Sequence, residues 1–364
     1  MSVGTDREDV MTRHDSNAAP VEEHSEDWRS EVDEKAEQPS TVGDLVRAQE
    51  PRRGREATTP EQIPAKGWKD ILWRVVWATA EDRILATAGS VAFFALLAVF
   101  PAIATVVSLY GIFNDTSTIG GHLSILAGIF PQGVLDLIAE QIRLITAKST
   151  DALGIAFIIG LLVALWSANS GVAALFDALN VVYGEKEKRS LLHFYAVTFL
   201  FTLGAIGFVI GAIAGVVVLP IALKFVGVTT TAEQLLAVLR WPVLLAVVIG
   251  GLALVFRFGP SRRDAKWRWV TWGSVVAAVL WIAASMLFSW YVVNFDSYNR
   301  TYGSLGAGVG FMTWIWLSVV VILIGAELNA EMEHQTARDT TSGKPKPLGR
   351  RGATMADHVG EAQD

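Results

Sequence analysis

The chain has 364 residues, contains no cysteine and carries a formal net charge of −6, and 52% of its residues are hydrophobic. The lack of cysteine excludes disulfide bonds and thiolate chemistry. An average composition of this kind fits soluble and membrane proteins alike, so the distribution of charge along the sequence has to decide between them.

Residues 1–64 form a polar N-terminal region in which acidic residues outnumber basic ones and large apolar residues are sparse. Such a segment cannot bury enough apolar surface to offset the entropy that it loses on ordering. The sequence therefore predicts a disordered, acidic cytoplasmic tail over residues 1–64. A tail of this kind also suits the recruitment of partners, so a scaffold function stays open.

Two amphipathic helices are predicted beside the apolar part of the chain. The stretch KGWKDILWRVVWATAEDRI, which begins at Lys66, places apolar residues at helical spacing among charged ones. Tryptophans mixed with lysines and arginines are typical of a helix at the level of the lipid headgroups. A second such helix is predicted after the first span, where Val134, Ile138, Ile142 and Ile145 share one helical face.

Six long runs of the sequence are almost free of charge, and a helix needs roughly 20 apolar residues to cross a bilayer. The fourth run reaches that length only if Arg240 extends its side chain to the interface. The sequence predicts an all-α polytopic membrane protein with six transmembrane helices within residues 65–334. The predicted spans are about 86–112, 152–176, 194–222, 235–257, 269–293 and 304–328. Residues 335–364 are predicted to form a second disordered cytoplasmic tail.

Lysine and arginine alternate between rich and poor loops along these six spans. The rich segments lie before span one, between spans two and three, between spans four and five, and after span six. An excess of positive charge marks the cytoplasmic side of a membrane protein. We therefore expect a multi-pass plasma-membrane protein with both termini in the cytoplasm.

Several polar residues fall inside or at the end of the predicted spans. Asn169, Asp177 and Asn180 lie near one face of the second span, and Glu327 and Asn329 follow the apolar run of the sixth. Polar groups in a span are expensive and are a functional hypothesis by default. They are candidates for a polar path, in which Asp177 and Glu327 would line one cytoplasmic vestibule.

Structural packing is the alternative for the same residues. Side-chain amides form hydrogen bonds between helices, and the carboxylates would then pair with basic residues of the neighbouring loops. Lys186 and Arg262 are the predicted partners in that interpretation. The sequence leaves both interpretations open.

Proline and glycine mark further positions in the spans. Pro101 lies in the middle of the first span and predicts a kink. The stretch TYGSLGAGVGFMTWIWL resembles a glycine-rich phosphate loop, but a membrane span precedes it where such a loop needs a strand. We predict instead that Gly303 makes the turn between two spans. Gly306 and Gly310, like Gly171 in the second span, are predicted to allow close helix packing.

Catalytic and metal-binding patterns do not emerge from the sequence. The six histidines are scattered, and no pair has metal-ligand spacing on a segment predicted to be ordered. Neither a nucleophile elbow nor a nucleotide-binding motif is present. The sequence predicts no cofactor, no metal site and no enzymatic activity. It also predicts no nucleic-acid partner, because the basic residues form no surface interleaved with aromatic side chains.

Three stretches carry a resemblance to a known family: LATAGSVAFFALLAVFPAIATVVSL, LWSANSGVAALFDALNVVYG and YGSLGAGVGFMTWIWLSVVVILIGAELNAEME. Together they resemble the YihY/virulence factor BrkB family of bacterial inner-membrane proteins, once labelled ribonuclease BN. The resemblance covers about residues 67–333 and leaves the tails outside. Asn169 stands where a small hydroxyl residue is more usual in that family.

The resemblance implies a multi-pass protein of the bacterial inner membrane that moves a lipid or small solute, in a transporter-like or flippase-like manner, or that supports the cell envelope. A non-transporting scaffold that acts through its tails is the alternative. The expected partners are membrane lipids and a lipid or small-solute substrate, and a homo-oligomer stays open. The ribonuclease label fits no group of residues in this chain.

Overall fold

The computed structural model describes residues 42–113, 150–215, 230–294 and 304–363, all within one compact unit of the chain. Three predictions fall outside these residues. They are the first part of the N-terminal tail, the amphipathic helix after the first span, and the turn at Gly303.

Helices dominate the described residues, because long apolar runs without water can satisfy their backbone hydrogen bonds only within a helix. Two precede the spans, α1 (Val42–Arg47) and α2 (Ala65–Glu81), and a 3-10 turn at Pro60–Gln62 separates them. The long helices are α3 (Ile84–Phe113), α4 (Thr150–Val182), α5 (Leu191–Ile213), α6 (Thr230–Phe258), α7 (Trp267–Asn294) and α8 (Ser304–Gln335). A last turn, α9 (Thr354–Asp357), lies in the C-terminal segment.

The helices α3 to α8 are each long and apolar enough to cross a membrane. This confirms the predicted all-α architecture with six candidate spans. Several of these helices run past the predicted limits, most clearly α8, which continues to Gln335. The polar residues after the apolar run of α8 stay helical because they are buried against other segments, as described below.

The centre of the arrangement is α8, which packs against α2, α3, α4, α7 and α9. In addition, α3 pairs with α4, α5 packs on α4, and α6 packs on α7. We use the term basal end for the end of the bundle at which α3, α5 and α7 begin and α4, α6 and α8 end. Most of the buried polar residues belong to segments that meet there.

The helices α7 and α8 approach each other most closely at a pair of glycines. A Cβ atom on Gly273 would lie 2.2 Å from the carbonyl oxygen of Gly325, and a Cβ on Gly325 would lie 2.6 Å from the Cβ of Ala277. Above this point the indole of Trp281 donates a hydrogen bond of 2.9 Å to the hydroxyl of Ser318. Small residues thus let two helices pack backbone to backbone, as is common in membranes.

The predicted glycine positions behave differently. A Cβ on Gly171 would lie 3.6 Å from Phe94 and Ala95, so this glycine does lie at the contact between α4 and α3. A Cβ on Gly310 would meet nothing within 4 Å among the described residues, so the predicted packing surface is not found there. Gly306 falls in the first turn of α8, and its contacts lie outside what the structure describes.

Pro101 lies inside α3, and the helix continues through it. The hydroxyl of Thr105 donates a hydrogen bond of 2.7 Å to the carbonyl of Pro101. Gly160 of α4 lies against this hydroxyl, since a Cβ there would come within 2.9 Å of it. The predicted kink stays a prediction, and Pro101 lies at a helix contact between α3 and α4.

The amphipathic helix α2 packs along the basal part of α8 in the antiparallel direction. Arg74 pairs with Glu331, and Asp70, one turn earlier on α2, lies 3.5 Å from the amide of Gln335, one turn later on α8. The opposite face of α2 is apolar and exposed, with Leu72, Trp73, Val76 and Trp77 between 51% and 66% exposed. That face suits contact with lipid at the membrane interface.

The structure corrects the prediction of a disordered tail over residues 335–364. Residues 336–363 pack against the basal end, where Ala356 and Val359 are completely buried. The backbone N–H of Gly360 donates to the carbonyl of His334 at 2.8 Å, and the N–H of Thr354 donates to the carboxylate of Glu185 at 2.7 Å. Composition suggested disorder because the segment has little apolar surface, but hydrogen bonds to charged groups stabilise it by roughly 1.5–3 kcal/mol each.

The same correction applies to residues 42–64, the last part of the predicted N-terminal tail. The guanidinium of Arg53 donates to both carboxylate oxygens of Asp70 at 2.8 Å, and both side chains are almost completely buried. The guanidinium of Arg55 donates a hydrogen bond of 2.7 Å to the carbonyl of Gly360. The N-terminal segment is therefore joined to both α2 and the C-terminal segment.

Candidate functional site

One face of α8 carries three polar residues at intervals of four, Glu327, Glu331 and Gln335. Residues at this spacing lie one above the other on a helix, so they form a polar column that faces α2. All three are at most 5% exposed. A polar column inside a protein needs partners for each side chain.

The two lower residues of this column have such partners. The amide nitrogen of Gln335 donates a hydrogen bond of 2.8 Å to the carbonyl of Arg53, and its amide oxygen accepts a hydrogen bond of 2.7 Å from Arg74. Glu331 forms an ion pair with Arg74, and the Nδ1 atom of His334 lies 3.5 Å from the same carboxylate. These pairs tie α8 to α2 and the N-terminal segment.

Glu327, the upper residue, differs from both. Its side chain is 0% exposed, and no hydrogen-bond donor among the described residues reaches either of its carboxyl oxygens. One of the polar groups beside it is another carboxyl, that of Asp82, which follows α2. Burying an ionised carboxylate without partners costs several kcal/mol or more, so this arrangement needs an explanation beyond packing.

A second face of α8 binds the loop between α6 and α7. Arg262 donates hydrogen bonds of 3.0 and 2.7 Å to the two carboxylate oxygens of Glu333, and both side chains are 0% exposed. The hydroxyl of Thr340 donates a third, of 2.8 Å. Burial by itself lowers the pKa of Arg262, but Glu333 and the ring of Tyr183 raise it above its ordinary value. Arg262 is therefore charged at any physiological pH.

The predicted site residue Asn329 holds α7 against α8. Its amide oxygen accepts a hydrogen bond of 2.8 Å from the backbone N–H of Gly273, and its amide nitrogen donates 3.2 Å to the carbonyl of Val270. These bonds satisfy both ends of a side chain that is 0% exposed. The geometry supports the packing interpretation for this residue.

The two predicted asparagines of α4 also make contacts between segments. The amide oxygen of Asn180 accepts a hydrogen bond of 2.7 Å from the backbone N–H of Ser261, and its amide nitrogen donates one of 3.2 Å to the carboxylate of Glu187. Asn180 thereby joins the two loops at the basal end. Asn169 lies higher in α4, where its oxygen accepts a hydrogen bond of 3.4 Å from the hydroxyl of Thr202 on α5.

Asp177 is exposed, unlike Asn169 and Asn180 of the same helix. The charged groups that act on it are Glu187 and Arg189, whereas those that act on Glu327 are Asp82, Glu331 and Glu81. The structure therefore does not bring the two carboxylates together in one vestibule, because Asp177 is exposed, Glu327 is completely buried and each lies among different charged groups. The predicted partner Arg262 pairs with Glu333 instead.

Comparison with known protein families decides where this chain belongs. The family model described as virulence factor BrkB matches residues 76–348, about three quarters of the chain. The chain belongs to the virulence factor BrkB family. The BrkB match includes all six candidate spans, the polar column of α8 and the first part of the C-terminal segment.

Individual relatives of this BrkB-family protein carry names of two kinds. The chain is 30% identical to the "Putative ribonuclease-like protein YfkH" of Bacillus subtilis over 66% of its own length and 86% of the relative. It is 26% identical to a "UPF0761 membrane protein" of Alkalilimnicola ehrlichii, over 85% and 70% of the two chains. A "UPF0761 membrane protein" of Haemophilus influenzae is 25% identical, over 74% and 97%. No solved structure matches the chain.

Sequence reasoning missed the arginines that complete the basal end of this BrkB-family protein. Arg53 and Arg55 lie in a segment that composition assigned to a disordered tail, and Arg74 was read as an interfacial charge. The spacing of Glu327, Glu331 and Gln335 was visible in the sequence and indicated one helix face. Nothing in the sequence indicated which arginine each side chain would meet. In the described ranges, no group of three or more His, Asp or Glu side chains is placed to hold a metal ion.

Proposed function

We propose that this BrkB-family protein moves a lipid or small solute across the membrane in a transporter-like or flippase-like manner. The observation that carries the proposal is Glu327, an acidic side chain that is completely buried in a span-forming helix and that no donor among the described residues reaches. Ionisable groups at such positions are costly, and they typically mark substrate or ion pathways in transport proteins.

The contrast with neighbouring residues supports this proposal. Glu331, Glu333 and Asn329 lie on the same helix within two turns, and each has partners that explain its presence by packing. A residue that served only packing at position 327 could be an apolar residue of similar volume such as leucine, because replacing buried charged groups in this way is often neutral or stabilising. An unpaired acid is instead expected where the protein needs it for a second state.

The proposal includes a place and an orientation for the chain. We propose the bacterial inner membrane, with the basal end and both termini on the cytoplasmic side. The loops at the basal end carry most of the described lysines and arginines that flank the spans, as the positive-inside rule requires of a cytoplasmic face. These residues are Lys186, Lys188, Arg189, Arg257, Arg262, Arg263, Lys266 and Arg268.

The names of the relatives raise ribonuclease activity as a second possibility, and we propose that this chain is not an enzyme. Acidic side chains that a nuclease would need at the basal end already form ion pairs there: Asp70 with Arg53, Glu331 with Arg74 and Glu333 with Arg262. Hydrolysis of RNA by the purified full-length protein, lost on Glu327→Gln, would contradict this part of the proposal.

Reconstitution into liposomes with a panel of labelled lipids and small solutes tests the transport proposal. We expect the wild type to move at least one member of the panel and Glu327→Gln to lose most of that activity, because glutamine keeps the shape of the side chain and removes its charge. Glu56→Gln, a change at an exposed acidic position outside the spans, is the matched control.

A deletion tested in cells separates transport from a scaffold function. Loss of cellular function on deletion of residues 1–41, together with an unaffected Glu327→Gln variant, would overturn the transport proposal in favour of a scaffold. The deletion stops at residue 41 because residues 42–64 pack against the basal end and are needed for its integrity.

A further inference from the structure

The side chains of the polar column of α8 differ in whether a partner binds them. Gln335 and Glu331, nearer the basal surface, are bound by Arg53 and Arg74. By the register of these contacts, the next residue of α2 to face α8 after Asp70 and Arg74 is Ala78, which offers Glu327 neither charge nor hydrogen bond. Helix α2 therefore gives Glu327 no cation of the kind that Arg74 gives to Glu331 and Gln335.

The neighbour that Glu327 does have is chemically incomplete as a partner. Asp82 follows directly after α2 and brings a second carboxyl to the buried oxygens of Glu327. Two ionised carboxylates are acceptors only and repel each other, and they form a hydrogen bond only when one of them carries a proton. Carboxyl pairs that share one proton are a recognised solution to this conflict.

We propose that Glu327 and Asp82 form a proton-binding carboxyl pair, and that this proton is the coupling ion of the transport described above. The second half of the statement rests on the proposed function, whereas the first half does not. The ligand is a single proton. Loading forms an O–H bond on one carboxyl and neutralises one negative charge, unloading breaks that bond and passes the proton to water, and no electrons are transferred.

The groups that face Glu327 favour such a site. Glu81 and Asp82 approach from the connection between α2 and α3, Glu331 from α8 itself, and Tyr183 from the segment after α4. Three of these four groups are acids, which disfavour a second negative charge nearby. Two cations of the neighbouring segments are engaged with other acids of α8, Arg74 with Glu331 and Arg262 with Glu333.

A route between the pair and the basal surface follows the same column. Glu331 lies one helical turn from Glu327, and the Nδ1 atom of His334 lies 3.5 Å from the carboxylate of Glu331. The side chain of His334 is 23% exposed, so it links this buried column to solvent. Glu331 and His334 thus lie between Glu327 and solvent at the basal end.

The connection between α2 and α3 provides the part that moves when the proton leaves. Arg83, the residue after Asp82, has a φ of 49°, a left-handed conformation that is strained for a residue with a side chain. Repulsion between two ionised carboxylates adds to this strain at the same point. Loss of the proton would therefore push the α2–α3 connection away from α8.

Infrared difference spectroscopy of the full-length protein in lipid, titrated with acid and base, tests the proton site directly. We expect the wild type to show the carbonyl band of a neutral carboxylic acid at pH 7, with loss of that band in Glu327→Gln. Glu56→Gln, at an exposed acidic position, should keep it. Asp82→Asn should reduce the band at pH 7, because its amide donates a hydrogen bond that stabilises ionised Glu327.

An unchanged band in both Glu327→Gln and Asp82→Asn, or no such band in the wild type, would overturn the proton site. The experiment needs no substrate, so a band that behaves as expected in a protein without transport activity contradicts only the proposed function. Where transport is present, it should respond to a pH gradient in the wild type and not in Glu327→Gln. An equal response in both would overturn the coupling.

Discussion

Among single residues at the basal end, Glu187 offers the clearest dependence of stability on pH. Partial burial raises the pKa of Glu187, but hydrogen bonds from Arg189 and Asn180 together have the larger, opposite effect. The pKa of Glu187 is therefore lowered from an ordinary value of 4.5 to about 2. A carboxyl with a lowered pKa in the folded state adds stability above the ordinary value, and this stability is lost as the pH falls towards the lowered one. Glu187 therefore favours the folded state most strongly above pH 4.5.

We predict that Glu187→Gln lowers the thermal unfolding temperature of the detergent-solubilised protein at pH 7 and that the difference from wild type shrinks between pH 4.5 and 2. The change removes a carboxylate that Arg189 contacts at 2.7 Å. Fluorescence-monitored melting at several pH values measures the effect. Glu56→Gln serves as the control, and a pH-independent difference for Glu187→Gln would show that its ion pair does not contribute.

At the residue scale, the sequence located polar positions better than it located their partners. Asn180 and Asn329 were candidates because they interrupt apolar runs, and both lie at contacts between segments. The ion pair of Arg262 with Glu333 was not predicted, because several acids near the end of α8 were equally available to it by spacing. Which one it meets depends on how the loop after α6 folds back on α8, and a local pattern does not contain that information.

For pairs of helices, the contact of α7 with α8 gives a sharp prediction. A Cβ on Gly273 would lie 2.2 Å from the backbone oxygen of Gly325 and 2.4 Å from the amide oxygen of Asn329. Because one of these atoms belongs to the backbone of a helix, the methyl group can enter only if the helices move apart. Gly273→Ala should therefore destabilise the protein by about 1–3 kcal/mol, the usual cost of overpacking.

The matched control is Gly204→Ala in α5, where a Cβ would meet nothing within 4 Å. Alanine forms helices better than glycine, so this change should be neutral or slightly stabilising. Both variants can be compared by melting temperature in detergent and by the fraction that elutes as a single peak in size exclusion. A Gly273→Ala variant as stable as Gly204→Ala would contradict the close approach of α7 and α8.

The contrast between predicted and observed glycine contacts has a physical cause. Gly306 and Gly310 were predicted to form a helix contact because their spacing of four is typical of such contacts. The observed close contact is instead made by one glycine from each of two helices, Gly273 of α7 and Gly325 of α8. Sequence spacing reports only pairs on one helix, whereas a crossing point needs one small residue from each. The tails were misjudged for a similar reason: their order comes from buried arginines such as Arg53 and Arg55, which composition counts as solvated.

Over the whole molecule, hydropathy was sufficient for the number and order of the spans, because the cost of exposing a backbone to lipid leaves few alternatives to a helix. The central place of α8 was not predictable in the same way. Its buried faces come from contacts with five other helices, of which α2, α3 and α4 are far away in the sequence. Those contacts also explain why the polar end of α8 remains helical as far as Gln335.

The orientation of the whole molecule can be tested with single cysteines, because the chain has none of its own. Lys344 and Glu56 are exposed near the basal end, and Asn294 is exposed at the opposite end of α7. If the basal end faces the cytoplasm, a membrane-impermeant maleimide added to intact cells with a permeable outer layer should label Asn294→Cys. It should label Lys344→Cys and Glu56→Cys only after the inner membrane is opened.

The reverse labelling pattern would place the basal end outside the cytoplasm. It would contradict the orientation that we infer from the lysines and arginines at the basal end. Equal labelling of all three variants in intact cells would mean that the membrane had leaked, which the unsubstituted chain cannot reveal because it carries no thiol. A cytosolic protein with a native cysteine, probed in the same cells, detects such leakage. With that control, labelling at Asn294→Cys alone fixes the side on which the Glu327 column opens, and hence the side from which its proton arrives.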